Sequence, residues 1–268
     1  MKIKAFWVVV STVLLLCTVA CNRTESENTP ITGNPVPTPT IETLDIQSEL
    51  VQNLYSYIDV QSIARHRGGE ENIYQSTKTT IDSLTNTYKL LSVFHQMEPQ
   101  SYPDRERECL VAHFQVEEVD EKLREMYGER ASVVPEELRY FGREHPHNVH
   151  VVMYKEGVYE ILIAGPSDNE PQLFSWNQLV KAEREDDCIF LYTNYAFFVY
   201  SPGEGPNPDK ILFQAYGSSN REAIFAAGET DYFWPPNDFD YTLAPTYKST
   251  FVKASNGSHY WVSTELVE

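Results

Sequence analysis

The residues best suited to chemistry are gathered in Glu229–Tyr241, ETDYFWPPNDFDY. Asp231, Asp238 and Asp240 are interleaved there with the rings of Tyr232, Phe233, Trp234, Phe239 and Tyr241. Ring faces stack on sugars and attract cations, so this mixture suits a glycan, a peptide or a cationic ligand. Two of the acids would also serve glycoside hydrolysis if about 5–9 Å separated their carboxyls. Pro235-Pro236 rules out a regular strand through the middle, and the stretch reads as a loop. A loop that solvates its carboxylates cannot easily bury every ring, and grouped exposed rings mark a contact surface. The plain alternative is that the rings plug the core beneath a sheet.

A second cluster, EHPHNVH at Glu144–His150, holds three imidazoles. Neighbouring histidines share a zinc or copper ion when their spacing puts them on one face. Here Pro146 makes a loop, and His147 and His150 point to opposite sides once a strand begins. They read as surface histidines, and no metal site is assigned. The chain has no G-x-S-x-G elbow, no H-E-x-x-H, no phosphate-cradling glycine loop and no Cys–His nucleophile pattern. No catalytic residue and no cofactor is assigned.

The N-terminus carries a different chemistry. Lys2 and Lys4 precede Ala5–Ala20, which holds no charged residue. Sixteen helical residues span about 24 Å at roughly 1.5 Å per residue, short of a hydrocarbon core of about 30 Å. A positive head, a short apolar run and a small-residue exit form the layout of a secretory signal. That exit, Leu16-Cys17-Thr18-Val19-Ala20-Cys21, resembles the lipobox of bacterial lipoproteins. Small Ala20 precedes Cys21, whereas bulky Leu16 precedes Cys17, and Thr18 stands where the family usually has an aliphatic residue. The resemblance implies that residues 1–20 are removed and that Cys21 is lipidated as the new N-terminus. Two acyl chains on Cys21 would give stable anchoring where one is marginal.

Removal of Lys2 and Lys4 would leave 19 Lys+Arg against 39 Asp+Glu, a formal charge of −20. Such acidity excludes nucleic acid as a partner, because affinity for it comes mostly from neutralising phosphates. It equally gives no attraction to anionic lipid headgroups, so the lipid anchor on Cys21 is the membrane contact. Residues 21–40 contain four prolines and only two aliphatic residues, Ile31 and Val36, and read as a linker. Beyond it only Cys109 and Cys188 remain; outside the cytoplasm a disulfide between them is permitted, with two buried thiols as the alternative.

The elements that must position these groups fall into two halves. Over 41–146 apolar residues recur at helical spacing, as in Leu50, Val51, Leu54 and Ile58. Ser76–Met97 and Val116–Tyr127 give two more stripes, the latter stopped by Gly128, and a short fourth helix follows Pro135. Over 147–268 the period drops to two or to short apolar runs, including two strands around Glu156-Gly157. Asn256-Gly257 suits a type I′ turn, which would set Val252 opposite Trp261, Phe251 opposite Val262 and Lys253 opposite Tyr260. The expected fold is a single α+β domain over 41–268, its N-terminal helices packed against a C-terminal antiparallel β-meander.

The fragments LVQNLYSYI, VDEKLREMYG and YKSTFVKASNGSHYWVSTE also look like segments of extracellular lipoproteins of Gram-positive bacteria. That likeness implies a cell-surface setting and brings no chemistry with it. Three functions compete. The first is a membrane-anchored extracytoplasmic binding or interaction module using Asp231, Tyr232, Phe233, Trp234, Asp238, Phe239 and Tyr241. The second is a structural envelope protein without a ligand pocket. The third is an extracytoplasmic hydrolase of glycan or envelope polymer, with Asp231, Asp238 or Asp240 as its acids.

Overall fold

The computed structural model describes residues 40–59, 72–97, 101–104, 109–141, 148–166, 173–202, 210–221, 223–231 and 239–267. The lipobox with Cys21, the linker through residue 39, and Tyr232–Asp238 lie outside these residues. Three α-helices are described: α1 (Glu49–Ser56), α2 (Asn86–Gln96) and α3 (Val116–Tyr127). In α3, Val119, Leu123, Met126 and Tyr127 fall on one buried face. The Gln115 amide donates to the Glu118 carboxylate at 2.8 Å and starts the helix.

The expected α+β fold is corrected to a mostly β fold of two antiparallel sheets, with helices set between strands in the chain. One sheet runs β3 (Ser101–Asp104), β4 (Cys109–Gln115), β7 (Val158–Pro166), β6 (Asn148–Lys155), β5 (Leu138–Phe141). Three of its strands come from the stretch expected to be helical, and β5 replaces the helix expected after Pro135. The physical reason is that short apolar runs such as CLVAHFQ look alike at either period, and only pairing decides between them. Here β4 finds β7, with Ala112 opposite Ile161 and Phe114 opposite Tyr159, all facing inward.

The other sheet runs β1 (Glu42–Thr43), β8 (Leu173–Glu185), β9 (Cys188–Pro202), β12 (Thr246–Lys253), β13 (His259–Val267), β2 (Lys78–Thr80). Its spine is β9. The first half of β9 pairs with β12, from Cys188 opposite Val252 to Asn194 opposite Thr246. The second half pairs with β10 (Ile211–Tyr216), which in turn pairs with β11 (Ile224–Thr230). The sheet therefore forks along one strand. The main core gathers residues from all three helices and both sheets, including Leu91, Phe94, Met126, Tyr159, Leu191 and Trp261. Phe94 of α2 meets Tyr159 of β7 edge-on at 5.3 Å, and Tyr127 of α3 meets Trp261 of β13 at 5.6 Å.

Two expected hairpins are present. Glu156 and Gly157 join β6 to β7 with φ of 52° and 86°, both positive as a type I′ turn requires. The second joins β12 to β13 by a longer loop than expected. In it the Gly257 amide donates to Ala254 O and the Ala254 amide to Ser258 O. Asn256 instead accepts from the Ser258 amide and hydroxyl. The near-turn pairs move by one residue, to Phe251–Trp261, Val252–Tyr260 and Lys253–His259. A bulge at Val262 absorbs the shift, because Thr250 still faces Ser263. The shift sets Phe251 beside Trp261, both buried. Gly257 keeps φ +89° in open space, so Gly257→Val costs backbone strain alone. A loss of about 1–2 kcal/mol in a denaturant melt is expected, and a neutral variant would contradict this loop.

Candidate functional site

The far half of β9 is buried on both faces because its sequence, YAFFVY, alternates two sets of large side chains. Tyr195 and Phe197 point into the main core. Ala196, Phe198 and Tyr200 point the other way, into a second cluster with Phe174, Phe213, Ala215 and Ala244. Gly228 of β11 belongs to this face for a steric reason. A Cβ there would sit 3.0 Å from the Phe213 ring, which occupies the room a side chain would need.

Trp176, Ile211, Phe225, Ala226, Phe239 and Tyr241 pack around this second cluster and remain partly open to solvent. Trp176 and Tyr241 stack with centroids 3.4 Å apart and planes at 23°. Phe239 meets Phe198 edge-on at 5.0 Å and Tyr241 at 4.8 Å. Burial pushes the Tyr241 hydroxyl up to about 12, so it stays protonated and able to donate a hydrogen bond.

The loop is held in place by its own polar residues. Asp240 accepts from the Thr242 amide at 3.0 Å and the Thr242 hydroxyl at 2.6 Å, capping the single 3₁₀ turn Tyr241–Leu243. Asn194 of β9 donates to Tyr241 O at 3.1 Å, and Thr246 donates to Asn194 at 2.9 Å. The hydrogen bonds from Thr242 hold the Asp240 carboxyl below its ordinary range. A general acid needs the opposite shift, so Asp240 acts here as a cap. Asp231, at the end of β11, forms an ion pair with Lys210 at the start of β10.

Of the residues singled out in sequence, Phe239 and Tyr241 join one aromatic cluster, Asp240 caps the turn between them and the next strand, and Asp231 is ion-paired and exposed. Tyr232, Phe233, Trp234 and Asp238 lie outside the described residues. Trp176 was not foreseen, since no strand was expected around it. Its signal was the alternation of Phe174 and Trp176 ahead of the Asp186-Asp187 turn.

Cys188 is a free thiol at the start of β9, while Cys109 starts β4 in the other sheet. The disulfide weighed from sequence is therefore not formed at Cys188. Burial, then the carboxylates of Asp187, Glu185 and Asp186, push its pKa up, which disfavours the reactive thiolate. His150 is buried in β6 and not on a surface loop.

A buried polar network that sequence reading missed lies beneath the far half of β9. Asn72 donates to Tyr195 OH at 3.0 Å, and Ser175 shares a hydrogen bond with the same hydroxyl at 2.9 Å. Asn177 donates to Tyr74 OH and to Ile58 O, each at 3.0 Å. Burial raises Tyr74 and Tyr195 beyond the ordinary tyrosine range. Their hydroxyls stay neutral, and the network pins Asn72–Gln75 to the sheet. Its constituents are spread across distant segments, so no local motif announces it.

No family model matches this chain, and neither does any curated protein or solved structure.

Proposed function

We propose that the chain is an extracytoplasmic lipoprotein, anchored to the membrane through Cys21, whose domain is a binding module for a glycan or peptide. The half-open aromatic face around Trp176, Phe225, Phe239 and Tyr241 is its contact surface. The observation that carries this reading is the Trp176–Tyr241 stack on the second aromatic cluster. It joins the loop rich in rings and acids to a rigid strand, and rigid rings make contact area at little cost in entropy.

Trp176→Ala and Tyr241→Ala test it. Binding to purified envelope glycan, followed by co-sedimentation, and to an immobilised peptide library is measured for each variant beside wild type. Loss of one stacking ring is expected to weaken binding by about tenfold, with the fold retained as judged by circular dichroism. Full binding in both variants would sink this surface. Absence of any binding by the wild-type chain would favour the structural envelope protein instead.

A further inference from the structure

Asn256 is the one asparagine in the chain that glycine follows. It stands in the loop between β12 and β13, where Ser255, Asn256, Gly257 and Ser258 are all exposed. Gly257 leaves its own backbone nitrogen unshielded, since it has no side chain and nothing lies within 4 Å of where a Cβ would stand. The parts of an intramolecular cyclisation are therefore adjacent. Asn256 Cγ is an acyl carbon, Gly257 N is the nucleophile, and the ring that joins them has five members.

The folded loop adds what the dipeptide lacks. Asn256 Oδ1 accepts from the Ser258 amide at 3.0 Å and from the Ser258 hydroxyl at 2.7 Å. Attack at Cγ turns that oxygen into an oxyanion. Donors already aimed at it stabilise the charge as it develops, as they do in acyl transfer. We infer that Asn256 is a self-modification site, at which Gly257 N displaces the side-chain amide as ammonia and Ser258 supplies the oxyanion donors.

The step needs only water. Hydroxide takes the Gly257 proton, the N–Cγ bond forms, and the Cγ–Nδ2 bond breaks as ammonia leaves with a proton. Water then opens the resulting succinimide at either carbonyl, which gives aspartate or isoaspartate at position 256 and one added negative charge. Isoaspartate also carries the main chain through the side-chain carbon, so the loop grows by a methylene. One contact opposes the reaction. The Gly257 amide donates to Ala254 O at 2.9 Å, and that bond must open before the nitrogen can attack. Conversion is therefore slow and follows local opening of the loop. The bonds from Ser258 to Asn256 do not involve Ala254 O, so they can persist through that opening.

Timed incubation of the full chain tests this, folded and in parallel unfolded in urea. Position 256 is followed by peptide mapping with mass spectrometry and by isoaspartate-specific enzymatic methylation. Aspartate and isoaspartate are expected at 256 in the folded chain, with ammonia released in equal amount and a rate that rises with hydroxide concentration. Ser258→Ala should slow the folded chain by about threefold to tenfold, the effect of one hydrogen bond for which water competes. Ser258→Thr keeps the hydroxyl and should retain the wild-type rate. In urea all three chains should convert alike. Should Ser258→Ala disturb the hairpin by circular dichroism, Ser258→Cys, a weaker donor, takes its place. A folded chain whose Asn256 stays intact while the unfolded chain converts overturns the inference. So does a folded Ser258→Ala chain that converts at the wild-type rate. A slowing equally large in urea also overturns it, because the effect would then belong to the local sequence and not to the folded loop.

Discussion

Gly128→Ala is expected to destabilise the domain by about 3 kcal/mol or more, lowering the thermal midpoint by roughly 6–12 °C for a domain of this size. Two costs combine. Gly128 closes α3 with φ 84° and ψ 169°, a backbone region open essentially to glycine alone. A Cβ placed there would also lie 2.7 Å from Tyr260 Cε2 and 2.8 Å from Cδ2. The glycine cannot easily move away, because its amide donates to Arg124 O at 2.8 Å and its carbonyl accepts from Ala131 at 3.0 Å. These bonds turn the chain where α3 packs on β13. Calorimetry or a urea melt measures the loss. Adding Tyr260→Ala should recover the overlap but leave the backbone strain, so the double variant falls between wild type and Gly128→Ala. A Gly128→Ala chain that melts like wild type would show that this approach of α3 to Tyr260 is wrong.

Cys21→Ala should move the protein from the membrane fraction to the soluble fraction, or leave it unprocessed with its leader attached. Under the proposed function, lipid on Cys21 supplies the whole of the attraction to the bilayer. Each buried methylene contributes about 0.8 kcal/mol, and stable anchoring takes two chains. Without residues 1–20, whose only charges are Lys2 and Lys4, 19 Lys+Arg against 39 Asp+Glu leave a formal charge of −20, which gives no electrostatic help at an anionic surface. Cys17→Ala should leave the anchor intact, since Leu16 rather than a small residue precedes it. Fractionation and mass spectrometry of the N-terminal peptide provide the readout. An unmodified Cys21 in membrane-bound protein would rule the anchor out.

Elements whose cause is local were legible in the chain. Val116–Tyr127 is a helix because its apolar side chains repeat at helical spacing and a glycine stops it. Glu156-Gly157 turns one strand into the next because both residues accept positive φ. Where the cause is a distant partner, the reading failed. CLVAHFQ runs into α3 without a turn residue, and only its pairing with β7 makes it a strand. The hairpin at Asn256-Gly257 was foreseen, yet its near-turn register was displaced by one. Burying both Phe251 and Trp261 required a bulge at Val262, and the turn residues carry no record of that need.

The candidate surface divides along the same line. Its rings and carboxylates could be read directly from Glu229–Tyr241, since composition is a property of the chain. Their roles could not. Asp240 spends its carboxylate on the next turn, and Tyr241 stacks on Trp176, more than sixty positions earlier in the sequence. β9 illustrates the reason. YAFFVY places large side chains on both faces of one strand, and the sequence alone leaves open which face meets the helices and which meets the second cluster. The forking of the sheet decides it, because β12 leaves β9 at Asn194 and β10 takes its place at Phe197. Alternation of side chains is set by the backbone of a single strand, whereas the surroundings of each face are set by strands that arrive from elsewhere in the chain.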